Sequence, residues 1–436
     1  MSNHGTPLRA VRGAIVHFLA DPADRPDALQ HFADGLMIIR DGRVAEIGPA
    51  EALLPRLPAD QAVTDYRGQL ILPGFVDTHI HFAQTDIIAS YGEQLLAWLE
   101  KYTFPTERRF ADGEHAREVA EFFCDELLRN GTTTALAFAT VHPGSVDALF
   151  GAAATRRMRI IAGKVLMDRN CPDFLQDTAE TGYSESCALI ERWHGRDRLS
   201  YAVTPRFAPT SSREQMTLAG RLFAEHPGLY LQSHVAENPG EVAWVAELYP
   251  EARSYLDVYD RYRQLGERAV YAHCIWLDDE DRRRMAETGS AMSFCPTSNL
   301  FLGSGLFDLA RAKALGVRVG IGTDVGGGTS FSMLQTLNEA YKVLQLNGQQ
   351  LAAEQAFYLA TLGGAHSLYL DDRIGNLASG KEADFVVLDP RATPLLARRM
   401  DNTATLAEQL FVLMMLGDDR CIAATHLLGE PAWLRG

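Results

Sequence analysis

Apolar and polar positions along this chain change period twice. Residues 8–68 read as β, with a loose alternation of apolar and polar positions at residues 11–18. Residues 11–18, 35–39 and 43–47 read as strands there, and Asp41-Gly42 is a hairpin turn signal between the last two. Helical spacing of any length appears in this part only at 50–57. A matching strand pattern returns near the other end, at 380–389. The two β-rich ends predict one small β-sandwich domain built from both termini, with parts at 1–68 and 370–436.

Between them the period itself alternates. Short apolar runs stand at 74–81, 133–140, 159–168, 199–206, 229–237, 269–274, 290–298 and 317–325. Segments with a period near 3.6 separate them, at 114–130, 146–157, 185–194, 214–225 and 278–288. After the eighth run, Phe331, Leu334, Leu337, Tyr341 and Leu344 form one apolar stripe, and Gly348 follows as a stop. Eight strands, each followed by a helix, predict an α/β chain with a parallel (β/α)8 TIM-like barrel over 69–369. No Pro/Gly/Ser-rich linker divides barrel from sheet, so the two are expected to pack together.

Composition narrows the function. The chain has 436 residues, 47% of them hydrophobic, enough for a large core. A net charge of -15 without a long basic run argues against nucleic acid or an anionic membrane as partner and favours a small ligand. Cysteines 124, 171, 187, 274, 295 and 421 include no Cys-x-x-Cys pair, which fits reduced thiols in a cytoplasmic protein. Cys274 and Cys295 fall near the candidate site and are expected to be inert. Residues 1–22 lack an uninterrupted apolar stretch, so no signal peptide is expected, and the run 410–416 is too short to span a bilayer.

The chemistry gathers at the ends of the runs, where barrel enzymes place their active sites. The first run closes on His79 and His81, which at i and i+2 point to one side of a strand. The fourth ends in Arg206-Phe207, the fifth in His234 and Glu237, the sixth in His273 and the eighth in Asp324. His79, His81, His234 and Asp324 make a three-nitrogen, one-oxygen set suited to one catalytic Zn2+, with Fe2+ as the alternative. A cation held there lowers the pKa of a water towards neutrality. Glu237, three residues past His234, is placed for proton transfer, and His273 either to bond that water or to polarise a substrate. Taken singly, His234 reads as a core histidine, and Asp324 and Glu237 as caps of the next turn or helix. Their order around one barrel face makes the joint structural reading improbable.

The series His79-x-His81, His234, His273, Asp324 resembles the amidohydrolase superfamily. Tyr91-Gly92-Glu93-Gln94-Leu95-Leu96, Trp98-Leu99 and Lys101-Tyr102-Thr103-Phe104-Pro105-Thr106-Glu107-Arg108-Arg109-Phe110 are similar, within it, to guanine deaminases. So are Thr204-Pro205-Arg206-Phe207-Ala208-Pro209-Thr210 and Phe294-Cys295-Pro296-Thr297-Ser298-Asn299. The resemblance runs over nearly the whole chain. It implies that His79, His81, His234 and Asp324 bind zinc, that Gln84, Arg206, Phe207 and Glu237 contact the purine, and that His273 and Asp324 activate water. It also implies hydrolysis of guanine to xanthine and ammonia in purine catabolism or salvage, and a homodimer. The bridging lysine of two-metal relatives is replaced by Arg206 at the fourth strand end, and Lys164 lies inside the third run, so one metal per chain is expected. The other nucleobase deaminase pattern, His-x-Glu with Pro-Cys-x-x-Cys, is absent from the sequence. Two other readings stay open: a relative acting on a different aminopurine or a triazine, or as an imidazolonepropionase, and a non-catalytic scaffold on the same barrel. Trp98, Tyr102 and Phe104 read equally as a substrate cover and as helix packing.

Overall fold

The structure, a computed structural model, describes residues 8–436. The first seven residues of the N-terminal β part, and with them some of the stretch read for a signal peptide, lie outside the described residues. Among the described residues no helix is long and apolar enough to cross a membrane.

The chain opens with β1 (Arg9–Phe18), β2 (Leu29–Arg40), β3 (Arg43–Pro49) and β4 (Val63–Pro73). It continues into β5 (Phe75–His81), β6 (Thr132–Phe138), β7 (Arg159–Gly163), β8 (Val165–Leu166) and β9 (Ser200–Pro205). Then come β10 (Tyr230–Val235), β11 (Ala269–His273), β12 (Ala291–Phe294) and β13 (Arg318–Ile321). The chain ends with β14 (Phe385–Leu388), β15 (Ile422–Leu427) and β16 (Glu430–Leu434).

Strands β5, β6, β7, β9, β10, β11, β12 and β13 pair in that order, each parallel to its neighbour. Just past β13, Asp324 N donates to His79 O at 2.9 Å and Val325 O accepts from His81 N at 2.8 Å, which closes the barrel onto β5. The interior near the strand starts is filled by Val76, Leu136, Ile161, Ala202, Tyr230 and Val270 and stoppered by Ala365, Leu368 and Leu370. The opposite end, where the strands finish, is left for polar side chains.

Both chain ends share one seven-stranded sheet, in the order β16-β15-β14-β4-β1-β2-β3. Its outer strand β3 also bonds residues leading into β14: Val44 N donates to Lys381 O and Gly380 N to Val44 O. The sheet therefore folds over on itself, as the sandwich expectation requires. One face, with Val11, Ile15, Ile71, Phe385 and Val387, encloses its own core. Alternate residues, Val16, Phe18, Leu70, Leu72 and Val386, join the barrel core. Having two buried faces is why these strands alternate only loosely.

Three elements differ from the sequence expectation. The third run breaks at Lys164, whose buried ammonium bonds Val141 O and Asp177, well inside the wall. The seventh ends at Phe294, and Pro296–Phe301 is a helix, because Pro296 fits the first helical turn and cannot extend a ladder. The C-terminal part is not all β. It carries helices Pro394–Met400 and Leu406–Leu416, the second started by a capping box of Thr405 and Glu408. Leu410, Leu413 and Met414 then join the barrel core beside Leu334 and Leu337 of helix Met333–Leu346.

A buried ion cluster ties the sheet to the strand-start end of the barrel. Arg159 Nη2 donates to both Glu382 oxygens at 2.7 Å, and Arg198 pairs with Glu382 and Asp384. Glu382→Leu would leave two buried guanidiniums short of a counter-charge. It is expected to lower stability by about 3–5 kcal/mol, read as a fall in the urea midpoint. A midpoint unchanged from that of the parent would show the cluster to be neutral.

Candidate active site

His79 and His81 stand at the end of β5, His234 in β10 with Glu237 two residues past it, His273 at the end of β11, and Asp324 three residues past β13. The barrel brings them together. The His79 ring centroid lies 4.9 Å from that of His81, 4.8 Å from His234 and 5.6 Å from His273. Asp324 Oδ1 is 3.1 Å from His79 Nε2 and 3.4 Å from His81 Nε2, and its Oδ2 is 3.8 Å from His273 Nε2. All are buried. Ala236, His273, Cys274 and Asp324 have φ of 51°, 71°, 54° and 51°, a left-handed backbone that non-glycine residues hold at a cost of order 1–3 kcal/mol each. These four positions lie where the strand ends turn their side chains towards one point. The close approach also needs a bare backbone on β13's extension: a Cβ on Gly322 would lie 2.8 Å from His79 O.

These residues fit a cation. His234 Nδ1 is spent on Arg206 O at 2.7 Å, so its Nε2 is a bare lone pair, and it faces His81 Nε2 at 3.1 Å. His79 Nε2 is buried without an aligned hydrogen-bond partner. Burial and neighbouring imidazoles hold His81 and His234 well below the ordinary histidine range, in the neutral form that ligates metals. Burial opposes ionisation of Asp324, but His79, His273 and His81 outweigh it and hold its carboxyl far below the usual range. Two overlapping groups could hold a metal ion, His79 with His81 and His234, and His79 with His273 and Asp324.

Glu237 faces this centre from one side. Its Oε2 is 3.3 Å from His273 Nε2, and its Oε1 accepts from Ser304 Oγ at 3.0 Å. Burial pushes its carboxyl up to about 7. His273 is oriented from behind, Nδ1 lying 2.9 Å from Asn299 Oδ1. Burial lowers the affinity of His273 for its proton, yet Glu237 and Asp324 facing it raise its pKa overall. Glu241 supports the loop: its Oε2 accepts from the Glu237 and Asn238 amides at 2.9 and 3.2 Å.

Gln84 and Arg206 line the same cavity as His81, His234, Glu237, His273 and Asp324, and its apolar walls are Leu95, Trp98, Leu99, Phe207 and Leu302. Those walls belong to a cluster separate from the barrel core, roofing the open end. Trp98 is thus both packing and cover: it lines the cavity, and its ring packs tilted on Tyr102 and edge-to-face with Phe301. The result is a slot that combines apolar walls with a small set of charged and hydrogen-bonding side chains, the lining a flat heteroaromatic ring requires. Cys274 and Cys295 are buried with their thiols pushed up by that burial, which makes them inert.

Several residues of the site were not singled out from the sequence. Glu107 pairs with Arg206, and Asp77 holds the first and eighth strands together through Thr323 N at 3.1 Å and Thr323 Oγ1 at 2.5 Å. Asn299 and Ser304 sit behind His273 and Glu237. For Asp77 the signal was available, a carboxylate inside an apolar strand. For the others only three-dimensional proximity reveals the role.

Residues 70–430 match the amidohydrolase family. Guanine deaminase of Escherichia coli (strain K12) is 56% identical over 98% of this chain and 98% of its own. The solved structure of E. coli guanine deaminase superposes with a TM-score of 0.97, covering 98% of this chain and 100% of that one. A guanine deaminase from C. acetobutylicum, solved with guanine bound in its active site, is 28% identical, with a TM-score of 0.89 over 98% of this chain and 100% of its own.

Proposed function

The chain belongs to the amidohydrolase family, in its guanine deaminase branch, and from that premise we propose how this site hydrolyses guanine to xanthine and ammonia. The observation that carries the reading is the polar edge of the slot. Arg206, Gln84, Glu237, His273 and Asp324 line one cavity with His81 and His234, and His273 Nε2 lies 3.3 Å from Glu237 Oε2 and 3.8 Å from Asp324 Oδ2. That lining supports a pose in which guanine offers O6 and N1–H to Arg206 and Gln84 and presents C2 to the ligand group.

His79, His81, His234 and Asp324 are the residues that would hold a divalent cation, which when bound acidifies water and polarises what it touches. A nitrogen-rich set with one carboxylate supports Zn2+, with Fe2+ second. His273 and Asp324 take the proton of the water that adds to C2. Glu237 gives a proton to ring N3 and so draws electrons from C2. With its carboxyl pushed up to about 7, it is poised to give and to take back a proton near neutral pH. Glu237, now a carboxylate, takes the proton of the new C2 hydroxyl and hands it to the amine as the C2–N bond breaks and C2=O forms; the proton held by His273 and Asp324 then restores Glu237. Arg206, Gln84 and Phe207 orient the ring, and Trp98 and Leu302 keep bulk water from it. A cytoplasmic setting agrees with six unpaired cysteines. A homodimer rests on the family resemblance and is checked by light scattering.

The test is ammonia release from guanine by the purified chain, with elemental analysis of the same sample. Close to one metal per chain is expected, and His234→Ala should lose most of it and the activity while the fold survives by circular dichroism. Two metals per active chain would overturn the single-site reading; a wild-type chain that releases no ammonia from guanine with metal bound would overturn the function.

A further inference from the structure

Arg206 does not enter the slot free. Its Nη1 donates to both oxygens of Glu107 at 2.9 Å, and Gln84 Nε2 approaches Glu107 Oε1 at 3.4 Å. Glu107 is fully buried, at the end of the helix Phe104–Glu107, and Phe104 holds the other side of the guanidinium with its ring centroid 5.6 Å away. An ionised carboxylate only accepts, so it must meet the NH2 side of Gln84 and not the carbonyl. Gln84 Oε1 has no hydrogen-bond partner among the described residues, and it belongs to a side chain lining the cavity. Arg206 Nη2 and Nε likewise have no hydrogen-bond partner among the described residues, and Arg206 lines the same cavity.

We infer that Glu107 is a positioning residue that fixes the polarity of the purine-binding edge, making Arg206 the donor and Gln84 Oε1 the acceptor. This rests on the guanine reading given above. A carbonyl beside an N–H, the lactam edge O6/N1–H of guanine, matches that donor–acceptor pair. An amidine edge, an amine beside a bare ring nitrogen, is its reverse. A glutamine alone rotates to serve either pattern. Glu107 removes that choice without touching the substrate, so selectivity is built one layer behind the contact. The stretch that supplies Glu107 also supplies Trp98 and Leu99, so the roof of the slot and the residue that sets its polarity belong to one continuous run of helical turns.

The experiment compares guanine with 2,6-diaminopurine, which keeps the reactive 2-amine but carries the reversed edge. Rates are taken as kcat/KM, or as inhibition constants where turnover is slow. Glu107→Gln is expected to keep its metal and lower kcat/KM for guanine on the order of 10–100-fold. It should also reduce the guanine-to-diaminopurine preference about tenfold or more, because Gln84 is free to turn. Combined with Arg206→Met, Glu107→Gln should cost less guanine kcat/KM than it does alone, because the part acting through Arg206 is already gone and only the part acting through Gln84 remains. Should Glu107→Gln fail to fold, Glu107→Asp keeps the charge, withdraws it from Gln84 and serves the same ratio test. Equal losses on both purines, or losses that multiply with those of Arg206→Met, would reduce Glu107 to a structural role. Wild-type chain inactive on guanine would instead overturn the substrate reading on which the inference stands.

Discussion

Glu237→Gln is expected to lower kcat for guanine about 10²–10⁴-fold with metal content unchanged. The substitution is nearly isosteric and keeps an oxygen for Ser304 Oγ, 3.0 Å away, so the loop over Glu241 is preserved. It removes the proton. Glu237 lies 3.3 Å from His273, outside the ligand group, and its role is proposed to be transfer to N3 and then to the leaving amine. An amide can hold guanine in place, so KM should move much less than kcat. His273→Asn is the companion measurement. His273 belongs to the second of the two groups able to hold a metal, so its metal content discriminates between water activation and ligation. Retained metal with a large loss of kcat supports the first; loss of metal makes His273 a ligand and revises the set. Unchanged kcat in a metal-replete Glu237→Gln chain would remove Glu237 from the mechanism.

The barrel was legible because its signal is repeated and local. Each strand is a short apolar run, each helix a stripe, and neither depends on knowing its neighbours. The placement of His79, His81, His234, His273 and Asp324 at one end followed from the same pattern, since run ends in a parallel barrel share a face. What escaped lies where one residue overrides a local preference. Pro296 turns an apolar run into a helix, and Lys164 interrupts a strand with a buried charge. Glu107 escaped for a different reason. Its partners are at sequence separations of 99 and 23, and in the sequence it is one carboxylate among 56 acidic residues. Nothing in periodicity marks a charge whose counter-charge is brought to it only by closure of the roof. The C-terminal helices were missed although Thr405 and Glu408 spell a capping box, because the run after it is apolar all round and carries no stripe.

Adenine is expected to be turned over at least about 10⁴–10⁵-fold less efficiently than guanine. Two chemical facts combine. Adenine has no amine on C2, the carbon that the guanine pose sets beside the histidine–Asp324 group. In that pose it also offers an amine where guanine offers O6, and a guanidinium has only donors, so Arg206 would be left facing N–H groups in a buried slot. Glu107 meets the charge of Arg206, so the costly part is the donor left without an acceptor. Arg206 is almost fully buried, and without a substrate oxygen its Nη2 loses water and gains no partner. Arg206→Met tests the same contact from the protein side. It should keep the metal, because the contribution of residue 206 to the ligand group is its backbone oxygen on His234 Nδ1. It should lower kcat/KM for guanine sharply, and it should narrow the gap between guanine and purines lacking O6. Ammonia release or the ultraviolet change with each base under one set of conditions gives both numbers. If adenine were consumed as fast as guanine, the pose would be wrong at both ends. O6 would not be read by Arg206, and C2 would not be the carbon presented to water.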